Sequence, residues 1–457
     1  MGNFEAYRKI DLKDKTLSQR VETTLEQLSQ EPSASISAAC KDPHQAKAVY
    51  RLTGNEKFTT EALYEISREE TIRMIVESGV KVILIPQDTM SLDYTGLKKT
   101  KGLGYTCDKK STRGLFVHTA IAVSEEGQTF GLLGQKIWSR DDEKFGKKED
   151  RKRLPIKEKE SNKWLEALDF ANISNNLGDV RAIHLCDRES DIYEFFAKAD
   201  HSDVTYVCRR VQNRLVVEAS EEVVISKFLE ALDVIGKFNV DVPRSSQNNR
   251  EARTVSLEIK YGKTEILKPT YLGKNKDLLD KVTVTLISAT EIDPPDKTEG
   301  ISWQLITNDE VETLNDAILC VKRYSQRWKI ETFHYTLKSG CKIEELQISN
   351  VQKLTKLVAL YSIIAIHIMH LTYLARTTPD ESCETILEES EWKLLYRVAN
   401  KTKIVPDVPP STLETVIMIA KLGGFLARKS DGMPGVKVIW RGLSKLNTII
   451  QASEFIF

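Results

Sequence analysis

Apolar residues in the first eighty positions recur at helical spacing, and from position 81 they gather into runs of strand length. A periodic stretch over 14–30 stops at Glu31-Pro32. A short helix is predicted from Ser35. Another opens at Asp42-Pro43, with aspartate as cap and proline in the first turn, and stops at Gly54. A fourth covers 60–78 and ends at Gly79. The third helix presents Lys41, His44, Lys47 and Arg51, so one flank is cationic. Short helices with a basic member suit a helix-turn-helix-like DNA reader; the same flank also suits a solvated face.

Beyond Lys81 the period changes. Val82-Ile-Leu-Ile-Pro86 predicts a strand ending at Gln87-Asp88. Strands over 114–123 and 129–138 are joined by Glu125-Glu126-Gly127, a hairpin turn. Residues 139–160 are a dense charge run, read as an exposed loop or helix start. A helix over 161–177, a strand over 180–186 ending at Asp187, a helix over 190–199 and a strand over 204–211 follow. Residues 212–300 are β-rich with polar loops, including 255–261 and 282–287, and read as an insertion. A last strand, 301–306, leads into a helix over 311–339. The remainder is helical: 351–375, 382–399, 411–421 and a segment from Arg441, with 401–410 as a linker. The apolar run 357–375 is long enough to cross a bilayer. It holds two histidines, Ser362 and two tyrosines, and it predicts a buried core helix.

The 311–339 helix carries an unusual stripe. At about 100° per residue, Tyr324 lies at roughly +20° from Glu331, Lys338 at roughly −20°, Arg327 at roughly −40° and His334 at roughly −60°. A carboxylate, two cations, a phenol and an imidazole on one line suit a site that holds a metal and grips a phosphodiester. Asp88 and Asp187 each end a strand, where catalytic groups gather in α/β sheets. With Glu331 they form a hard-oxygen set for Mg²⁺ or Mn²⁺. Two such ions about 3.5–4 Å apart activate water or a 3′-hydroxyl and stabilise a leaving oxygen. Taken singly, Asp88 also reads as a turn residue and Asp187 as a helix cap. Cys186, Trp303 and Trp328 also read as core residues.

Lys plus Arg equals Asp plus Glu at 66 each, so any contact with nucleic acid must come from local patches. The seven cysteines form no C-x-x-C pair and read as reduced thiols of a cytosolic protein, with no disulfide framework or zinc site. The amino terminus lacks the apolar run of a secretory signal.

The spacing Tyr324-x2-Arg327-x3-Glu331-x6-Lys338 resembles the hallmark of bacterial cut-and-paste DDE transposases of the insertion-sequence class. Further matches are Asp187-Arg-Glu-x-Asp191-Ile, Gln87-Asp88-Thr-x-Ser-Leu, Gly102-Leu-Gly with Lys110-Ser-x-Arg-Gly114-x-x-Val-His118, and Lys421-Leu-Gly-Gly-Phe425. The resemblance covers nearly the whole chain. It implies an α/β fold: a ribonuclease-H-like catalytic core over 80–375 with the β insertion at about 212–300. An all-helical DNA-end-binding domain (1–79) and a helical dimerisation region (376–457) would flank it. Asp88, Asp187 and Glu331 would hold Mg²⁺, with Mn²⁺ as substitute. Tyr324, Arg327, Lys338 and His334 would contact DNA near the cut end, and Trp303 would stack on a flipped base. Arg209 and Arg210 lie where that group places basic DNA contacts, though the local pattern departs from it. The net charge departs from the basic character the resemblance implies.

The expected activity is transposition by a homodimer on double-stranded transposon ends and target DNA: nicking, hairpin formation and opening, then strand transfer. The expected location is cytoplasmic and nucleoid-associated, with no membrane partner. A nuclease of the same fold that cuts without joining is the first alternative. A catalytically silent DNA-binding protein is the second.

Overall fold

The amino-terminal pattern is realised closely in the computed structural model, which describes residues 4–40, 42–107, 111–145, 154–242, 252–272, 278–295, 300–429 and 431–453. Lys41, Lys110 and part of the 139–160 charge run lie outside the described residues. Helices α1 (Lys15–Gln30), α2 (Ile36–Ala39), α3 (Pro43–Gly54) and α4 (Thr60–Ser78) are capped by the side chains of Asp14, Ser35, Asp42 and Thr59. Each cap satisfies an amide that the first helical turn leaves without a partner. Gly79 closes α4 at φ 70°, a left-handed backbone available to glycine without Cβ strain.

Strands β1 (Val82–Asp93), β2 (Gly104–Tyr105), β3 (Arg113–Ser124) and β4 (Thr129–Trp138) follow. The predicted end of β1 at Gln87-Asp88 is corrected: the strand continues to Asp93, because Met90 and Leu92 resume a buried alternation beyond the carboxylate. Then come α5 (Asn162–Phe170), β5 (Arg181–Cys186), α6 (Tyr193–His201) and β6 (Thr205–Arg209). Helix α5 is shorter than its predicted span, and a 3₁₀ turn occupies Ser174–Asn176. The β-rich stretch holds β7 (Leu215–Glu218), β8 (Glu221–Val224), α7 (Ile225–Ala231), β9 (Gly236–Val242), β10 (Arg253–Leu267) and β11 (Lys281–Glu291). β12 (Ser302–Thr307) ends the strands.

The single helix predicted over 311–339 is corrected. The structure has α8 (Leu314–Ser325), a turn at 326–327, α9 (Trp328–Tyr335) and a π turn, Thr336–Gly340. The amides of Gln326 and Arg327 bond three residues back, to the carbonyls of Arg323 and Tyr324, each at 3.0 Å, so the spiral tightens there. The carboxyl-terminal helices are α10 (Val351–Thr377), α11 (Glu389–Asn400), α12 (Thr412–Leu422) and α13 (Val436–Ser453). The last begins five residues before the predicted Arg441.

The chain divides into two compact units: Met1–Gly79, Thr89–Lys148 and Lys329–Phe457 form one; Val80–Asp88 and Glu149–Trp328 form the other. In the first unit β3 pairs antiparallel with β2 and β4. Helix α4 lies on β4, with Ser67 Oγ donating to the Leu132 carbonyl at 2.8 Å and Tyr64 OH to Gln135 Oε1 at 3.0 Å. Helix α10 is the one described helix apolar and long enough to cross a membrane. It is instead the core of this unit, buried along most of its length and packed against α1, α3, α4, β4 and α12. In the second unit β5 pairs parallel with β1 and β6, and β12, β11 and β10 extend the sheet antiparallel. Trp164, Phe195, Phe196 and Tyr206 fill the core beside it.

Candidate active site

Register builds the site's first feature. The parallel pairing of β1 with β5 sets Ile85 opposite His184 and Pro86 opposite Leu185. Asp88 and Asp187 each lie two residues past that last pair, so they stand side by side where the β1–β5 pairing ends, Asp88 within β1 and Asp187 just past β5; paired strands are spaced about 4.8 Å apart. Both are partly exposed. The Asp187 carboxylate also accepts from the Glu189 amide at 2.6 Å, capping a 3₁₀ turn, Arg188–Ser190. Its capping role and a ligand role use different lone pairs.

Beneath the pair lies a buried polar contact. Gln87 Nε2 is 2.6 Å from His184 Nδ1, and both side chains are fully buried. Burial pushes the His184 imidazole down to about 3, so at neutral pH it is uncharged. An uncharged ring accepts the amide proton without placing a cation under the two carboxylates.

Arg327, at the turn before α9, sets Nη1 3.4 Å from Asp88 Oδ2. Tyr324, at the end of α8, is 5% exposed; burial raises its hydroxyl pKa, so it is a neutral phenol. Its ring meets Trp303 on β12 edge to face, 6.3 Å between centroids. Trp303 is half-buried. Trp328 is 65% exposed, so the core reading of that residue is corrected.

Arg209 donates to the Ser302 carbonyl at 3.4 Å, and Arg210 donates through Nε to Gln304 Oε1 at 2.7 Å. Burial holds both guanidinium pKa values below their ordinary range, and for Arg209 the nearby Arg188 adds to the effect. Arg210 also donates to the Gln212 carbonyl and Asn213, so it ties its own loop together.

The first unit holds the rest of the stripe. Glu331 and His334 lie on α9, and Lys338 lies in the π turn, 3.2 Å from Glu344. A uniform step of about 100° does not hold from Tyr324 to Lys338, since a tight turn and a π turn interrupt it. Among the described residues no three His, Cys, Asp or Glu side chains form a group that could hold a metal ion. The donor chemistry at Asp88 and Asp187 does fit Mg²⁺, which binds through one or two carboxylates and keeps several waters.

Sequence reasoning passed over one residue pair. Asp191 is buried; its carboxylate accepts from the Val211 and Gln212 amides at 2.7 and 2.6 Å and from Arg214 Nε at 3.0 Å. It pins the loop after β5 to the segment after β6. The signal was its place in the Asp187-Arg-Glu-x-Asp191 run. In the amino-terminal region, His44, Lys47 and Arg51 are exposed on α3 opposite the buried Ala46, Val49 and Leu52.

Two family models match the chain. Residues 5–58 match Transposase DNA-binding, and residues 363–456 match Transposase Tn5 dimerisation domain. These matches support a DNA transposase. The second narrows the support to the Tn5 type, in agreement with the resemblance carried by the sequence motifs. A solved structure, the cryo-EM structure of the piggyBac transposase synaptic complex with hairpin DNA, aligns over 96% of this chain and 71% of that chain, at 11% identity and a TM-score of 0.34.

Proposed function

We propose that the chain is a metal-dependent cut-and-paste transposase with Asp88, Asp187 and Glu331 as its catalytic acids. The observation that carries this reading is the register of β1 and β5, which sets Asp88 beside Asp187, with the Arg327 guanidinium at Asp88. Parallel β1, β5 and β6, the β3–β4 hairpin and the β-rich stretch before β12 support a ribonuclease-H-like core with an insertion. On this reading 1–79 binds the transposon end, 80–375 cuts and joins, and 376–457 serves dimerisation on double-stranded DNA within the bacterial cytoplasm.

Mg²⁺ or Mn²⁺ bound there would supply Lewis-acid activation of water or a 3′-hydroxyl. The chain's own groups position the DNA. Arg327 offers a planar fork to a phosphate, Lys338 a point charge, and Tyr324 a neutral hydroxyl. Trp303 offers an aromatic face to an unstacked base. Nicking, hairpin formation, hairpin opening and strand transfer would all use this one site.

The test is incubation of the purified protein with Mg²⁺ and a duplex carrying the repeats that bound its coding region. Chelator-sensitive nicking and joining by the wild type are expected. Asp88→Asn, Asp187→Asn and Glu331→Gln should retain DNA binding and lose both steps. Wild-type cutting by any of the three overturns the assignment. Cutting without joining would favour the nuclease reading.

A further inference from the structure

Helix α13 carries Lys437, Arg441 and Lys445 at four-residue intervals. Four residues advance a helix by about 400° and 6 Å, so the three cations form a ridge that drifts only about 40° per step. With Lys342 they line a cavity of about 680 Å³ within the first unit. No carboxylate is among the residues that line it. Lys342 pairs with Glu345 at 3.2 Å at the surface, whereas none of the three α13 cations has an ion pair among the described residues. Ser33 and Ser339 add hydroxyls to the lining. The Tyr335 ring, tilted 51° against Trp440 at 5.4 Å, gives it a firm aromatic side.

We infer that this cavity, whose lining includes none of the proposed catalytic residues, is a DNA-backbone site that grips phosphates without reading sequence. Three cations with no ion pair among the described residues suit a ligand with repeated negative charge, and serine hydroxyls donate to phosphate oxygens. The chain's formal net charge is +0, so this concentration is local and not a reflection of a basic protein. The cavity draws Ser33 from the stretch matched by the DNA-binding model and α13 from the stretch matched by the dimerisation model. The inference rests on the reading that the chain engages DNA, and it assigns part of that engagement to α13.

The experiment compares wild type with a Lys437→Gln/Arg441→Gln/Lys445→Gln variant. Fluorescence anisotropy on end-repeat and random duplexes is read between 50 and 200 mM salt. Each lost phosphate contact lowers the salt slope by about 0.9, so the triple variant should lose about 2.7 from it on both duplexes. Over that salt range the wild type should then weaken about 40-fold more than the variant. Should the triple variant melt early, each single substitution should still remove about 0.9. An unchanged slope overturns the inference. An unchanged slope with an altered sedimentation state also overturns it and makes the face a subunit interface. Cleavage by wild-type protein is read separately: wild type that binds with the expected slope but does not cut sinks the catalytic proposal and leaves this one standing.

Discussion

Arg327 Nη1 sits 3.4 Å from Asp88 Oδ2, so a cation assigned to phosphate rests on a carboxylate assigned to metal. Both side chains are partly exposed, and such pairs contribute about 0.2–1 kcal/mol. Arg327→Ala should therefore tighten Mn²⁺ binding by up to about fivefold, as read by electron paramagnetic resonance. The same variant should cut DNA more slowly. Arg327→Lys should also cut slowly, because lysine keeps the charge but lacks the fork. Unchanged single-turnover rates would make Arg327 a spectator.

On the proposed function Trp303 would have two separable roles. Its edge-to-face contact with Tyr324 contributes about 0.5–1.5 kcal/mol to stability. Base stacking would contribute about 1–3 kcal/mol at one chemical step. Trp303→Phe should retain most of the melting temperature and of hairpin formation. Trp303→Ala should slow hairpin formation while sparing the first nick. Equal slowing of both steps would leave only the structural role.

Asp191 and Arg214 test the loop clamp. Removing one partner of a buried ion pair strands the other, at a cost of about 3–5 kcal/mol. Asp191→Ala also leaves the Val211 and Gln212 amides without their acceptor. Urea unfolding should show the loss for Asp191→Ala, and a change below about 1 kcal/mol would mean that water replaces the carboxylate.

Acid should destabilise the fold through two histidines. Burial holds His184 and His367 down to about 3, whereas an unfolded histidine protonates near 6.5. Below about 6.5 the unfolded chain binds protons that the folded chain refuses, so stability falls as pH falls. Each histidine contributes roughly 1.4 kcal/mol per pH unit between about 6.5 and 3. Urea midpoints at pH 7.5, 6.5 and 5.5 should decline below pH 6.5. The decline should be shallower in His184→Gln, and an equally steep one would show that this ring is hydrated.

Arg51 should contribute to end recognition. It is exposed on α3, within the stretch that matches the DNA-binding family. Arg51→Ala should weaken binding to the correct end by about 1–3 kcal/mol if it reads a base edge. An equal loss on random duplex would reduce it to a phosphate contact.

Helices α3 and α4 and strand β4 were legible to the residue, and the starts of α1 and α2 to within one, because caps, proline and glycine punctuate them. Asp88 and Asp187 were legible as strand-associated acids, yet only the pairing of Pro86 with Leu185 sets them side by side. The stripe was less legible. Its residues lie near one another in sequence, but nothing in the side chains of 324–338 announces a tight turn at 326–327 or a π turn at Thr336–Gly340. Such breaks come from tertiary packing, which overrides local propensity. The cavity along α13 was hidden for a similar reason: its predicted helix began at Arg441, which left Lys437 outside it, and Ser33 is more than three hundred positions away in the sequence.

Helix α10 fixes an order of events in time. Helices α1 and α3 bury their apolar faces partly against it, although it begins at Val351, and Asn447 on α13 donates to the Gln30 carbonyl. On a ribosome, the first fifty residues emerge long before these partners exist. Their final packing must wait until nearly the whole chain has been made, because contacts of such sequence separation close last. A nascent chain therefore presents its cationic α3 on a less supported scaffold than the finished protein does.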